Sequence, residues 1–491
     1  MSDIAEIKPI HVMIVGAGLG GIMLAILLER MNISYTVFER ACEQLGLLEE
    51  VQNISLPCLR MDIYDNKIEQ IAFVDVSNYR ERSGYDFLMF ARPDMHHLLF
   101  SKIPPEKVLM KKRVLSIEQN EHGVMIRLAD GSTHHGDILV GADGSYSGVR
   151  QGLFKLMEKK GELPEVDKAN LKMGYISMVG VSDPQDPGKY PILKEPTSNF
   201  SRVIGDGTPL SYNTVTVPGN RICWGMTMQL DTTKASKNIM FKNSEWGPEA
   251  NESMIKEIRN FPSHFGGIIG DLIDATPKEM ISKVFLEEKM FETWHHGRTV
   301  LIGDGKQKAA WLFFEGLATV DINQHYLLNM VTRWVHGVLQ PVISGGQGAT
   351  NAMQDAVILA NCLYDLKSNS PKYITKAFKS YKEQRYPHAK YQMDKSKTMG
   401  KVLYGQTLSE RLLRYVAFNA VPQKMQDEQF LKDTNYRPIL TFMEPPENRG
   451  SGPVLPQKPS WRYQAKKKQG GEATEARLTI HYKPDRHPVS V

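Results

Sequence analysis

The sequence predicts an α/β protein in which a dinucleotide-binding domain of parallel strands and helices is joined to a sheet-rich second domain and a helical C-terminal region. Near the N-terminus a strand, a GxGxxG turn, a helix, a second strand and a terminal acid occur in order. Two further buried strands, far apart in the chain, each end in Gly and Asp, and the stretch between them reads as strands bounded by turn residues. At 491 residues the chain is too long for one ordinary core, and 41% apolar with 23% charged residues marks a globular protein rather than a disordered or fibrous one.

His11 to Val15 is a short apolar run of the kind a fully buried parallel strand shows. Gly16, Gly18 and Gly21 follow as GxGxxG, and Ile22, Ala25, Ile26 and Leu28 then repeat with helical spacing. A second apolar strand, Tyr35 to Phe38, ends at Glu39. The first glycine makes the turn, the second lets the backbone approach a pyrophosphate, and the third lets helix and strand pack closely. The helix N-terminus offers N–H groups and a positive dipole to phosphates, and the acid accepts from a ribose 2′-OH. This unit alone leaves FAD and NAD both open.

Ile138 to Val140 leads to Gly141, Asp143 and Gly144, after which Ser147 and Arg150 open a helix. Val300 to Ile302 leads to Gly303 and Asp304. Later, Gly345, Gly346, Gln347 and Gly348 enter a helix whose apolar face is Met353, Ala356, Val357, Ala360 and Leu363. An Asp at a strand end holds ribityl or ribose hydroxyls, and glycines let a helix N-terminus approach an electron-rich ring, so the added motifs favour flavin. Taken together, the three motifs resemble the FAD-dependent monooxygenases of the p-hydroxybenzoate hydroxylase type. Their fungal members, which epoxidise or hydroxylate polyketide, terpenoid and meroterpenoid intermediates, look most similar. The resemblance covers roughly residues 8 to 400.

The resemblance implies a Rossmann-like FAD-binding domain assembled from discontinuous pieces, 8–170 and 297–400, with a β-sheet substrate domain, 171–296, roofing the flavin. Residues 401–444 would form a helical extension and 445–491 a disordered basic tail. By position, Gly16, Gly18 and Gly21 would lie on the FAD diphosphate, Glu39 on the adenosine ribose, and Arg40 and Arg92 at the ribose and phosphate region. Asp143 belongs to a motif associated with both FAD and NAD(P)H. Asp304 would hold the ribityl chain, and Gly346, Gly348 and Ala349 would lie at the isoalloxazine. Plainer roles compete: Arg92 as a helix cap or ion pair, Asp143 and Asp304 as ordinary turn residues. The implied reaction uses NAD(P)H and O2 to epoxidise or hydroxylate an apolar substrate, with cofactor chemistry in place of a catalytic triad or metal site. A related flavin reductase or halogenase, or a degenerate non-catalytic protein, are the alternatives; no lysine motif argues for the halogenase.

Between Leu171 and Trp294, "MGYISMVGVSD", "NFSRVIGDG", "SYNTVTVPG" and "RICWGMTMQL" read as strands of an antiparallel sheet. Tyr212 is the candidate catalytic or substrate-facing hydroxyl. Met173, Met178, Met226 and Met228, with Trp224 and Tyr212, either line an apolar pocket or form ordinary core. Ile374 to Thr398 reads as a long helix that Pro387 should kink or break.

The net charge of +5 gives no indication of nucleic acid, and the surplus sits late, in a tail that is either simply solvated or weakly drawn to membrane surfaces. Cys42, Cys58, Cys223 and Cys362 are scattered without CxxC or His partners, as reduced intracellular thiols would be. The polar start "MSDIAEIKPI" is not a signal peptide, and the glycines in Val12 to Leu28 argue against a membrane span, so the expected location is cytoplasmic.

Two segments depart from the family pattern. Asp304 to Gly346 is about thirty residues too long, with the excess at about Gly305 to Arg333, and His336 and Pro341 restore the family's order. A surface loop would cost little chain entropy. Translated intron is the favoured alternative, since Gly305-Lys306 can be encoded with a donor-like GTAAG. At Cys42, conversely, about twenty residues of a cofactor-covering loop are missing. Sequencing cDNA across codons 300–350 should return a shorter transcript beside the long one; the long form alone contradicts the intron reading.

Overall fold

The computed structural model describes residues 10–39, 48–169, 173–205, 208–230, 252–287, 289–308, 347–404, 407–419, 428, 435–445 and 450–469. The chain begins with β1 (His11–Val15), α1 (Leu19–Arg30), β2 (Ser34–Glu39), α2 (Leu48–Asn53), β3 (Ser55–Tyr64), β4 (Gln70–Asp75), α3 (Tyr79–Ser83), β5 (Leu88–Phe90) and α4 (Arg92–Phe100). Then come β6 (Val108–Met110), β7 (Val114–Gln119), β8 (Val124–Leu128), β9 (Thr133–Gly136), β10 (Ile138–Gly141), α5 (Gly148–Lys159) and α6 (Glu165–Lys168). The middle holds β11 (Met173–Val181), β12 (Ser198–Ile204), β13 (Leu210–Val217), β14 (Arg221–Gln229), α7 (Glu252–Ile258), α8 (Ile269–Asp274) and β15 (Ser282–Glu287). Last are β16 (Lys289–Met290), β17 (His295–His296), β18 (Thr299–Leu301), β19 (Gln307–Lys308), α9 (Gln347–Tyr364), α10 (Pro371–Tyr404) and α11 (Leu408–Asn419).

Strands from three distant stretches build the first sheet, in the order β17-β18-β10-β1-β2-β6. All its pairings are parallel except β17 with β18. Both faces are covered, which is why β1 reads as an unbroken apolar run. Val12 and Ile14 face the cluster made with α1, α9 and α10, while Met13 and Val15 face the cluster under α5 and the β7-β8-β9 meander.

The second sheet runs β15-β11-β14-β13-β12-β3-β4, with β5 on β3. It is antiparallel except for β12 against β3. Gly219 (φ +78°) and Asn220 (φ +57°) take the left-handed conformations that close the β13–β14 hairpin. One face of the sheet carries Tyr212, Trp224, Met178 and Met226 into a core with α7 and α8; the opposite face packs Phe200, Val215 and Cys223 toward Tyr404 at the end of α10.

Three expectations change. Residues 55–90, read as part of the first domain, contribute β3, β4 and β5 to the second sheet, because β3 finds its partner in β12, far along the chain. Pro387 lies inside α10, which stays one helix from Pro371 to Tyr404, held by the buried Phe378, Tyr381, Arg385, Ala389 and Met393. Residues 450–469, expected to be disordered, are ordered and end in a helix over 461–469. Their physical role is to finish α9: Trp461 Nε1 donates to Asp365 O at 3.0 Å, an Arg462 nitrogen to Tyr364 O at 3.3 Å, and Ser460 Oγ to the Asp365 carboxylate at 2.6 Å. Lys467 pairs with Glu444 at 2.9 Å, and 470–491 lie outside the described residues. Among the described residues no helix is long and apolar enough to cross a membrane.

Candidate functional site

The register of the first sheet brings three motifs to one edge. Val15 pairs with Gly141, and Gly141 with Leu301, so Gly16, Ala142 and Ile302 leave three parallel strands side by side. Gly16 has φ +103°, and a Cβ there would stand 2.5 Å from Ala142 O; a Cβ on Gly21 would stand 2.0 Å from Gly16 O. Gly18 differs. Among the described residues, chain neighbours aside, the nearest atom to a Cβ there would be Ala142 O at 3.9 Å, and Gly18 caps α1 without a side-chain hydrogen bond, so none of them closes the approach to the helix N-terminus.

Glu39, at the end of β2, accepts from Ala17 N–H. Ala17 O in turn accepts from His96 Nε2 at 2.8 Å, and burial lowers the His96 pKa. His96 stands on α4, the helix that Arg92 begins, and α4 is tied to the second sheet by a two-pronged Arg221–Asp94 ion pair. Sequence reasoning missed His96 because a histidine in "ARPDMHHLL" carries no pattern.

At the second motif, Ser147 caps α5 by accepting from Arg150 N–H at 2.8 Å. Asp143 Oδ2 accepts from Val149 N–H at 3.2 Å; Oδ1 is buried and without a hydrogen-bond partner among the described residues. Burial raises the Asp143 pKa, against the opposing hydrogen bonds from Ser147 and Val149. The buried Arg150 guanidinium donates to Ser145 O at 2.7 Å, Asp304 O at 3.3 Å and Gly305 O at 3.1 Å. It staples the second motif to the third. Ser145 Oγ also reaches Asp304 Oδ2 at 3.4 Å.

Under the third motif lies a fully buried charge cluster. Asp355 on α9 accepts from Gly303 N–H at 2.8 Å, from Arg385 Nε at 2.8 Å, and faces Lys306 Nζ at 3.2 Å. Arg385 also donates to Asn351 Oδ1 at 2.8 Å, and Lys306 Nζ sits 3.8 Å from the Trp294 ring centroid. Burial pulls Lys306 down to about 8, with Asp355 opposing. Gly305 and Lys306, expected to begin foreign sequence, are therefore part of the core, and β19 pairs with β16. Residues 309–346, with Gly346 and most of the expected insertion, lie outside the described residues, as do Arg40 and the junction at Cys42. Gly348 and Ala349 fall in the first turn of α9, which packs closely at this edge: a Cβ on Gly20 or Gly303 would come within 3.0 or 3.1 Å of Ala352 Cβ.

Tyr212 requires correction. It points into the α7–α8 core, with its hydroxyl donating to Pro262 O at 2.9 Å and its ring stacked on Phe261. Met178, Met226 and Trp224 share that core, and Met228 packs against it; the side chain of Met173 lies outside the described residues. The opposite face carries a row the sequence reading overlooked. Arg202 donates to Asn213 at 3.4 Å, Ser211 Oγ to Tyr404 at 3.5 Å, and Ser177 Oγ contacts Thr227 at 3.2 Å, all buried.

The described residues fit a dinucleotide on three counts found at one strand edge: a helix N-terminus that no side chain among them caps, a face of Gly18 that none of them covers, and an Asp143 oxygen that none of them partners. No family model matches the chain. It is 27% identical over 406 residues to the FAD-dependent monooxygenase ptmM of Penicillium ochrochloron, covering 77% of this chain and 85% of that protein. It is 25% identical over 456 residues to the FAD-dependent monooxygenase ausM of Penicillium brasilianum, covering 87% and 86%. Among solved structures, Klebsiella pneumoniae HpxO complexed with FAD and uric acid superposes with a TM-score of 0.62 at 18% identity, over 87% of this chain and 99% of that one.

Asp355→Ala should cost about 3–5 kcal/mol in denaturant unfolding, because it strands two buried cations, whereas Lys306→Met should be neutral or stabilising. Lys306 is held near 8 when folded against 10.5 when exposed, so the unfolded chain binds the extra proton between these values. Wild-type stability should then rise with pH across that window by up to about 3 kcal/mol, relative to Lys306→Met, in unfolding titrations at pH 8 and 10.5. Tyr212→Phe should lose about 1 kcal/mol of stability and leave turnover unchanged; a collapse of turnover would restore the catalytic role.

Proposed function

We propose, from the premise that this chain belongs to the FAD-dependent monooxygenases of the p-hydroxybenzoate hydroxylase type, that it uses NAD(P)H and O2 to epoxidise or hydroxylate an apolar terpenoid, meroterpenoid or aromatic polyketide substrate. The carrying observation is the convergence of three cofactor motifs at one edge of the parallel sheet. FAD, when bound, supplies the redox chemistry, taking electrons from NAD(P)H and delivering one oxygen atom of O2.

The protein's share is holding, orienting and drying. In this reading the α1 N-terminus and the Gly16-Gly18-Gly21 turn take the diphosphate, with charge neutralised by N–H donors. Glu39 takes the adenosine ribose, with Arg40 and Arg92 near the ribose and phosphates. Asp143 and Asp304, joined through Ser145 and Arg150, take hydroxyls of the cofactor chain. Gly348 and Ala349 offer the start of α9 to the flavin ring. The Arg202, Asn213, Ser211 and Tyr404 row supplies hydrogen bonds that orient an oxygen function of an otherwise apolar substrate against Phe200 and Val215. Burial lowers Arg202 to about 10, so its guanidinium stays charged at neutral pH.

Gly18→Val tests the cofactor assignment cleanly, since its backbone (φ −68°, ψ 172°) suits any residue and, chain neighbours aside, the first atom an added Cβ would meet among the described residues is Ala142 O at 3.9 Å. Reconstituted with FAD, the wild type should show flavin absorbance near ~450 nm and the variant should bind at least about tenfold more weakly with an unchanged melting temperature. Equal flavin uptake by both proteins rejects the assignment. NADPH consumption that no alkene or electron-rich aromatic accelerates rejects the substrate class.

A further inference from the structure

A cavity of about 490 Å3 lies between the last turns of α9, the first four turns of α10 and the C-terminal segment. That volume is within the usual range of small-molecule sites. Its floor is apolar and buried, formed by Leu366, Ala377 and Cys362. Its rim is cationic: Lys367, Lys372, Lys376 and Lys458 all line it, and Lys379 continues the row along α10 into an adjoining cleft that shares Lys372 and Lys376.

Among the described residues none of these five lysines has a carboxylate partner. Lys458 donates to Ser380 Oγ at 3.2 Å, and Lys367 stands over the Trp461 ring at 4.8 Å. The one acid lining the cavity, Asp365, is already engaged by Ser460 Oγ at 2.6 Å and by Arg462 N–H at 3.3 Å. The positive field reaches inward as well: His295 is driven down to about 4 by burial, with Lys382 and Lys379 adding to the effect. Like charges gathered on one rim repel one another, and a multivalent anion relieves that repulsion. A phosphate carries nearly two charges at neutral pH and three acceptor oxygens, which suits several ammonium groups better than a single carboxylate does.

We propose that this cavity binds an organic phosphate with an apolar body, its head among Lys372, Lys376 and Lys458 and its body on the floor around Ala377 and Leu366. Such a ligand is either a free amphiphilic phosphate or the headgroup of an anionic lipid. The site is separate from the flavin edge, so its test needs no turnover.

Isothermal titration of the full chain with octyl phosphate, octyl glucoside and inorganic phosphate reads it directly, alongside co-sedimentation with phosphatidylcholine vesicles with and without phosphatidic acid. Octyl phosphate should bind at one per chain and octyl glucoside should not. The triple variant Lys372→Gln/Lys376→Gln/Lys458→Gln, which changes exposed side chains only, should bind octyl phosphate about tenfold more weakly. Ala377→Leu, which fills the floor, should weaken octyl phosphate and leave inorganic phosphate unaffected, with thermal unfolding of both variants checked against the wild type. Lysine-dependent binding of octyl phosphate without co-sedimentation assigns a free ligand, and lysine-dependent co-sedimentation with phosphatidic acid assigns a lipid headgroup. Binding that is absent in both arms, unchanged in the triple variant, or equally tight for octyl glucoside overturns the proposal.

Discussion

The Asp355 carboxylate, fully buried on α9, gathers three donors from two separate stretches of chain: Gly303 N–H in the third motif and Lys306 two residues beyond it, and Arg385 from the middle of α10. Without it two cations would be buried in a core of aromatic and aliphatic side chains, so the motif, α9 and α10 are held together by a charge that no water can replace. The consequence reaches the cofactor edge. Gly303 (φ +58°) turns the chain so that Asp304 meets Ser145 and Arg150, and Arg150 in turn orders the second motif. A parallel sheet supplies the common edge, and this buried network sets the loops that leave it.

The second sheet works by contrast between its faces. One is closed by α7 and α8 over Tyr212, Trp224 and methionines; the other sets hydroxyls, an amide and a guanidinium among Phe200 and Val215, facing the end of α10. Buried polar side chains stay in a core when they are hydrogen-bonded, and a row of them beside an apolar wall can sort substrates by where an oxygen sits on a greasy body. The α4 helix and the Arg221–Asp94 pair tie this sheet to the first domain, so the two sheets are set relative to each other by a charge pair as well as by packing.

The parts legible in the sequence were the local ones. The β1-α1-β2 unit announces itself because its glycines, helix and acid are spaced within one short stretch, and the Gly-Asp strand ends do the same. What the sequence hid depends on partners far away. Arg385 meets Asp355 across thirty residues with no pattern to mark either, and β3 joins the second sheet only because β12 is beside it. Tyr212 lies in the α7–α8 core for a reason local pattern does not show: every residue of β13 is buried, so alternation of apolar and polar residues does not tell one face of the sheet from the other. Arg202, a lone charge in the run "NFSRVI", was the available clue to the polar face. The tail was misjudged on composition, which cannot see that α9 ends in carbonyls and a carboxylate needing donors.

The proposal that one edge of the parallel sheet binds one flavin is tested most directly by a crystal structure of the full chain grown with FAD. It should show the diphosphate over Gly18 at the start of α1, the adenosine ribose at Glu39 and the ribityl chain beside Asp304. Electron density for FAD at any other place, or a folded chain that crystallises with that edge closed by its own residues, would contradict it.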